Sequence, residues 1–187
     1  MADAAKMAEM VGQPGVIHGQ AFEIMPIPMM EQFAEWFDAG TVSFAVEARA
    51  LDDAQGVINA GGGTIHVFSA DRTREWVRFD CFDDDAHYHY LNAALKRNVV
   101  WGYDTASNGP MAQWALASIR DRLPELLRSA GADEAAGVVE REGFDTAVLE
   151  QVEVALADAH QRSLNDSSMA EAGREWFAQW MKKTFGD

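Results

Sequence analysis

Apolar residues change their period part-way along this chain. Val42, Phe44, Val46 and Ala48 alternate with smaller or polar residues, the mark of a strand with one buried face. From Met111 onward the apolar residues return every third or fourth position instead. Met111, Trp114, Ala115, Ile119, Leu123, Leu126 and Leu127 form one such helical stripe. A chain that writes strands first and helices second has few ways to bury both patterns. The pattern predicts an α+β fold, with a small antiparallel sheet of three to four strands and a C-terminal layer of about three helices.

Within the strand half, Thr64–Ser69 and Glu75–Phe82 read as a second and third strand joined by the hairpin-length link Ala70–Thr73. In the third strand Val77, Phe79 and Cys81 share one face, and Trp76, Arg78, Asp80 and Phe82 share the other. Neither face is wholly polar, so both are expected to be covered. Asp83-Asp84-Asp85 breaks the strand, and Ala86–Leu91 resumes as a short edge strand. Gly61-Gly62-Gly63 reads as flexible punctuation. Met29, Met30, Phe33, Ala34 and Phe37 have helical spacing, which predicts a helix over 29–38 closed by Gly40. In the second half Ser107–Pro110 opens a helix that Pro124 should kink or divide, and Gly131 ends it. A further helix is expected over 145–161. The last begins near Ser167 with Met169, Trp176, Phe177, Trp180, Met181 and Phe185 as its stripe. The stretch from Lys96 to Ser107 carries no clear pattern. The chain reads as a single domain over 1–187, with 1–14 a loosely held N-terminal arm.

Charge narrows the function. Thirty acidic against 15 basic residues give a formal net charge of −15, which opposes nucleic acid and anionic membrane surfaces. The single cysteine cannot form an intrachain disulfide. Residues 1–13 lack the basic and apolar regions of a secretory signal, and no apolar run approaches the roughly 20 residues needed to span a bilayer. The expectation is a cytoplasmic protein with no nucleic-acid or membrane partner. Arginine outnumbers lysine and alanine is abundant, a composition that correlates with GC-rich bacterial genomes.

Chemistry concentrates in Arg78–Tyr90. Those residues hold four carboxylates, two of the five histidines and the only cysteine. On an extended segment His87 and His89 point to the same side. Two imidazoles at that spacing can bind one metal ion, with a carboxylate from among Asp80, Asp83, Asp84 and Asp85, Asp83 and Asp85 of the turn foremost, completing a set suited to zinc, iron or manganese. Without a metal, His87 or His89 can serve as a general acid or base oriented by Asp80. Tyr88 and Tyr90 belong to the opposite side. The plainer readings are histidines and tyrosines packed as strand walls, and a solvated aspartate turn. Cys81 reads as a small buried hydrophobe beside Val77 and Phe79, and Arg78 as an ion-pair partner of Asp80. Gly61–Gly63 matches no phosphate-binding loop.

The run Arg78-Phe79-Asp80-Cys81-Phe82-Asp83-Asp84-Asp85-Ala86-His87-Tyr88-His89-Tyr90, with Leu123-Pro124 and Ala130-Gly131-Ala132, resembles an uncharacterised family of small bacterial proteins. That family has an aspartate-rich turn before a His-Tyr-His-Tyr element, and this chain departs from it at Ala86, where proline is expected. The resemblance implies a bacterial source and a single domain, and it implies no reaction. Taken together, the expectation is a site that binds or acts on a small polar ligand, by acid–base or by metal-assisted chemistry. The alternative is a non-catalytic accessory subunit or protein-binding module whose apolar last helix makes a homodimer or joins a larger complex.

Overall fold

The computed structural model describes residues 19–52 and 59–186. The expected N-terminal arm, 1–14, lies outside them. Seven strands run β1 (Gln20–Phe22), β2 (Ala34–Asp38), β3 (Val42–Asp52), β4 (Asn59–Ser69), β5 (Glu75–Phe82), β6 (His87–Asn92) and β7 (Arg97–Gly102). They form one sheet in the order β1-β7-β6-β5-β4-β3-β2, every neighbouring pair antiparallel. Five helices follow: α1 (Thr105–Asn108), α2 (Met111–Ser129), α3 (Asp133–Glu142), α4 (Val148–Asn165) and α5 (Ser167–Phe185). The α+β class holds, and the sheet is nearly twice the expected size.

The extra strands come from patterns that do not alternate cleanly. Residues 29–38 are not a helix. A single 3-10 turn at Glu31–Phe33 leads into β2, where Phe37 lies opposite Phe44 and Trp36 opposite Ala45. Apolar spacing there fits either element, and pairing along β3 decides it. Gly40 does not cap a helix; at φ 80° it turns the β2–β3 hairpin, its N–H held by the Asp38 carboxylate at 2.9 Å. β7 escapes notice because Asn98, Val99 and Val100 are all buried, so both of its faces are covered. Consequently β6 is not an edge strand; it pairs with β5 on one side and β7 on the other.

Gly61–Gly63 is likewise no punctuation mark but the interior of β4. A Cβ at Gly63 would stand 2.5 Å from Leu156 Cδ1 and 2.9 Å from the Leu156 carbonyl oxygen. Glycine is what lets α4 lie this close to the sheet. Val42, Phe44, Val46, Ile65, Val67, Val77 and Phe79 form the helix-facing side of the sheet, all buried against α2 and α4. Trp114 of α2 packs on Phe79, Tyr88 and Tyr103 at ring separations of 5.0–5.9 Å. α2 bends where Pro124 predicts it: Arg122, two residues earlier, has φ −142° and ψ 24°. Among the described residues no helix is long and apolar enough to cross a membrane.

Candidate metal centre

The other side of the sheet is also buried, and it is polar. Strand register assembles it. Glu47, Thr64, Asp80 and His87 are successive partners across β3, β4, β5 and β6; His66, Arg78 and His89 are successive partners in the row beside them. Each is the alternate residue to one in the apolar core, so the pleat that buries Val46, Ile65 and Phe79 sends these side chains the opposite way. Glu47, Arg49, Thr64, His66, Arg78, Asp80, His89 and Asn98 are all buried. Such groups are tolerable there only if partnered, and no buried side-chain nitrogen or oxygen among the described residues lacks a partner.

Three of the residues singled out in the sequence meet at one point. His89 Nε2 is 3.1 Å from Asp80 Oδ2, and His87 Nε2 is 3.4 Å from that same oxygen. The three ligand-type atoms lie within 4.8 Å of one another. Ligand bonds of about 2.1 Å would set neighbouring ligand atoms about 3.0 Å apart in an octahedral set and about 3.4 Å in a tetrahedral one. Both contacts to Asp80 match those edges.

Hydrogen-bond arithmetic sharpens the point. His87 Nδ1 lies 2.6 Å from the backbone carbonyl oxygen of Asp85, which can only accept, so the proton is on Nδ1. Asn98 donates its amide to the Ile24 carbonyl at 3.2 Å, which turns its Oδ1 toward His89 Nδ1 at 2.8 Å. That nitrogen donates too. With Nδ1 donating elsewhere, it is Nε2 of each ring that faces Asp80 Oδ2, a lone pair in the neutral ring. Asp80 Oδ1 is already an acceptor, from the Thr64 hydroxyl at 2.7 Å. The buried Asp80 carboxylate thus calls for positive charge at this point, which a proton on an imidazole or a bound cation would supply. A proton on His89 is opposed by burial, which pushes that imidazole below its ordinary value although Asp80 pulls it up. Asp80 itself is ionised: burial pushes its carboxyl up, and His89 and His87 more than offset this and hold it well below the usual range. A metal ion satisfies all three atoms. The Nδ1–H bonds to a carbonyl and an amide are the outer contacts that orient metal-binding imidazoles.

The aspartate turn does not supply the carboxylate, contrary to the sequence reading of Asp83 and Asp85 as metal ligands. The side chain of Asp83 is 66% exposed and its oxygen lies 3.6 Å from His160 Nε2. Asp85 brings its carboxylate only to 3.9 Å of His87 Nδ1, the protonated nitrogen. Its use is its backbone. At φ 60° it adopts a left-handed conformation that directs its carbonyl at His87. Asp80 is a ligand candidate because it sits directly across from His87.

Nor does Arg78 pair with Asp80. It makes two 2.8 Å bonds to Glu75 and a third to the Ile27 carbonyl. Next to it His66 bridges Glu75 at 2.7 Å and Glu47 at 3.1 Å, and Glu47 also accepts from Arg49 and from the Met30 N–H. Glu47, Arg49, Thr64, His66, Glu75 and Asn98 were not among the sequence candidates. Their only trace there is the polar half of an alternation whose other half is core. Cys81 is half-buried, with Sγ 3.8 Å from the Phe79 carbonyl, and burial pushes its thiol up. Tyr88 and Tyr90 lie on the helix side, away from the imidazoles.

A family profile described as a domain of unknown function, DUF7700, matches residues 36–156. The chain belongs to this family. The matched region contains Asp80, His87 and His89 and all the strands from β3 to β7. No curated protein and no solved structure matches the chain.

Proposed function

We propose that this member of the DUF7700 family binds one divalent transition-metal ion through Asp80 Oδ2, His87 Nε2 and His89 Nε2, and that the ion binds or activates a small polar ligand. The observation that carries this reading is the meeting of these three ligand-type atoms within 4.8 Å, with Nδ1 of each ring held by an oxygen acceptor. A two-nitrogen, one-oxygen set suits zinc, iron(II) or manganese(II). Three protein ligands leave at least one coordination position for water or a ligand, the arrangement of metal sites that do chemistry rather than only hold a fold. An ion so placed would polarise a bound oxygen or lower the pKa of a bound water. Asp80 and His89 are 3% and 6% exposed, whereas the His87 side chain is 16% exposed. The exchangeable ligand therefore comes in past His87.

Elemental analysis of protein purified without an affinity tag tests the reading. About one zinc, iron or manganese per chain is expected, falling to background in His87→Ala with the circular dichroism unchanged. Protein that carries none of these and takes up none when each is added would overturn it.

A further inference from the structure

A concave site lies outside the metal triad, lined by none of Asp80, His87 and His89. Residues Glu23–Pro28 cross from β1 toward β2, and α5 runs beside them. Between the two is a groove of about 560 Å³, completed by Lys96. Its walls are preformed. Asn98 Nδ2 holds the Ile24 carbonyl at 3.2 Å, Arg78 Nη1 holds that of Ile27 at 2.8 Å, and Trp176 Nε1 donates to that of Pro28 at 3.0 Å. The lining is mainly apolar, from Ile24, Met25, Pro26, Trp176 and Trp180. That size and character are those of small-ligand pockets.

Charge says what kind of ligand. The groove carries Lys96 and Lys183 against Glu23, a local excess of cation on a chain of net charge −15. Among the described residues neither ammonium is in an ion pair. Lys183 sits in the last turn of α5, where it also complements the helix dipole. That role does not extend to Lys96, which reaches the groove from a separate 3-10 turn and does so with a left-handed backbone, φ 47°.

We infer that this groove binds a small organic anion with an apolar body, a medium-chain or aryl carboxylate. The carboxylate is held by Lys96 and Lys183, and the body rests on Trp176, Trp180 and Pro26. The inference is independent of the metal centre.

Trp176 and Trp180 line the groove, so tryptophan fluorescence of the full chain reads binding directly. Octanoate is titrated beside 1-octanol and octylamine, which match its length and differ in charge. Saturable binding of octanoate is expected, roughly fivefold or more tighter than that of octanol, because a charge-assisted contact is stronger than a neutral one. Lys96→Gln and Lys183→Gln should each weaken octanoate roughly fivefold and leave octanol unchanged, and added salt should act in the same direction. No saturable response to octanoate, equal affinity for octanol or octylamine, or unchanged affinity in both lysine variants would overturn the inference. So would binding to vesicles containing anionic lipid without binding of free octanoate, which would assign the groove to a membrane surface.

Discussion

The two faces of the sheet are built by the same strands and held by different physics. On the helix side, Ile65, Val67, Val77 and Phe79 are stabilised by burial itself, and shape sets the cost of change. On the opposite side, Glu47, His66, Arg78 and Asp80 are equally buried, but each is tolerated only because a named partner meets it. An apolar face forgives a change of partner and punishes lost volume. A polar face does the reverse. At one point on it two imidazoles and a buried carboxylate bring ligand-type atoms within 4.8 Å of one another, and that is where we propose a metal binds.

The largest expected effect breaks the apolar face. Phe79 is fully buried beneath Tyr88 and Trp114, and Phe79→Ala should cost about 3–5 kcal/mol in denaturant unfolding. A loss under about 1 kcal/mol would mean that α2 packs less closely on the sheet than described. Next comes the ion network. Glu75→Gln removes the charge facing Arg78 and His66 and should cost about 1–3 kcal/mol at neutral pH.

The same variant has a pH signature. Burial pushes the Glu75 carboxyl up, but Arg78 and His66 more than offset this and hold it below its ordinary 4.5. A group depressed in the folded state stabilises above its unfolded value, and that stability is lost as pH falls below it. Wild type should therefore lose stability below about pH 4.5, and Glu75→Gln should flatten that acid limb in pH-dependent melting. An unchanged limb would place the acid sensitivity elsewhere.

Smaller stability effects separate metal ligands from bystanders. His87→Ala should change stability by less than about 1 kcal/mol, since the ring is at the rim of the site, while abolishing metal uptake. Asp83→Ala should shift stability by no more than about 0.5 kcal/mol and leave metal uptake intact, as measured by calorimetric titration with zinc. Loss of uptake in Asp83→Ala would return the aspartate turn to the coordination sphere.

Legibility in the sequence follows the same division. Alternation through Val42–Ala48 and Val77–Cys81 revealed the strands whose two faces differ in polarity. β7 did not show because Val99 and Val100 are buried on opposite faces, and β2 was hidden by spacing that suits a helix as well. The imidazole pair was legible from its i, i+2 spacing. Its carboxylate was not fixed by spacing: Asp80, Asp83, Asp84 and Asp85 are all near in sequence, and only the pairing of β5 with β6 sets Asp80 across from His87. Glu47, Arg49 and His66 read as the wet side of a half-buried strand. In β5 the Trp76 and Phe82 of the mixed face do signal cover, but nothing in the residues of β3 and β4 says that their wet side is covered.

The most direct measurement is long-range ¹H–¹⁵N correlation of the histidine rings in zinc-loaded protein. Both His87 and His89 should keep their proton on Nδ1, and their Nε2 resonances should move on adding one equivalent of zinc. Rings that carry the proton on Nε2, or Nε2 resonances that zinc leaves in place, would contradict a metal ion between these imidazoles and Asp80.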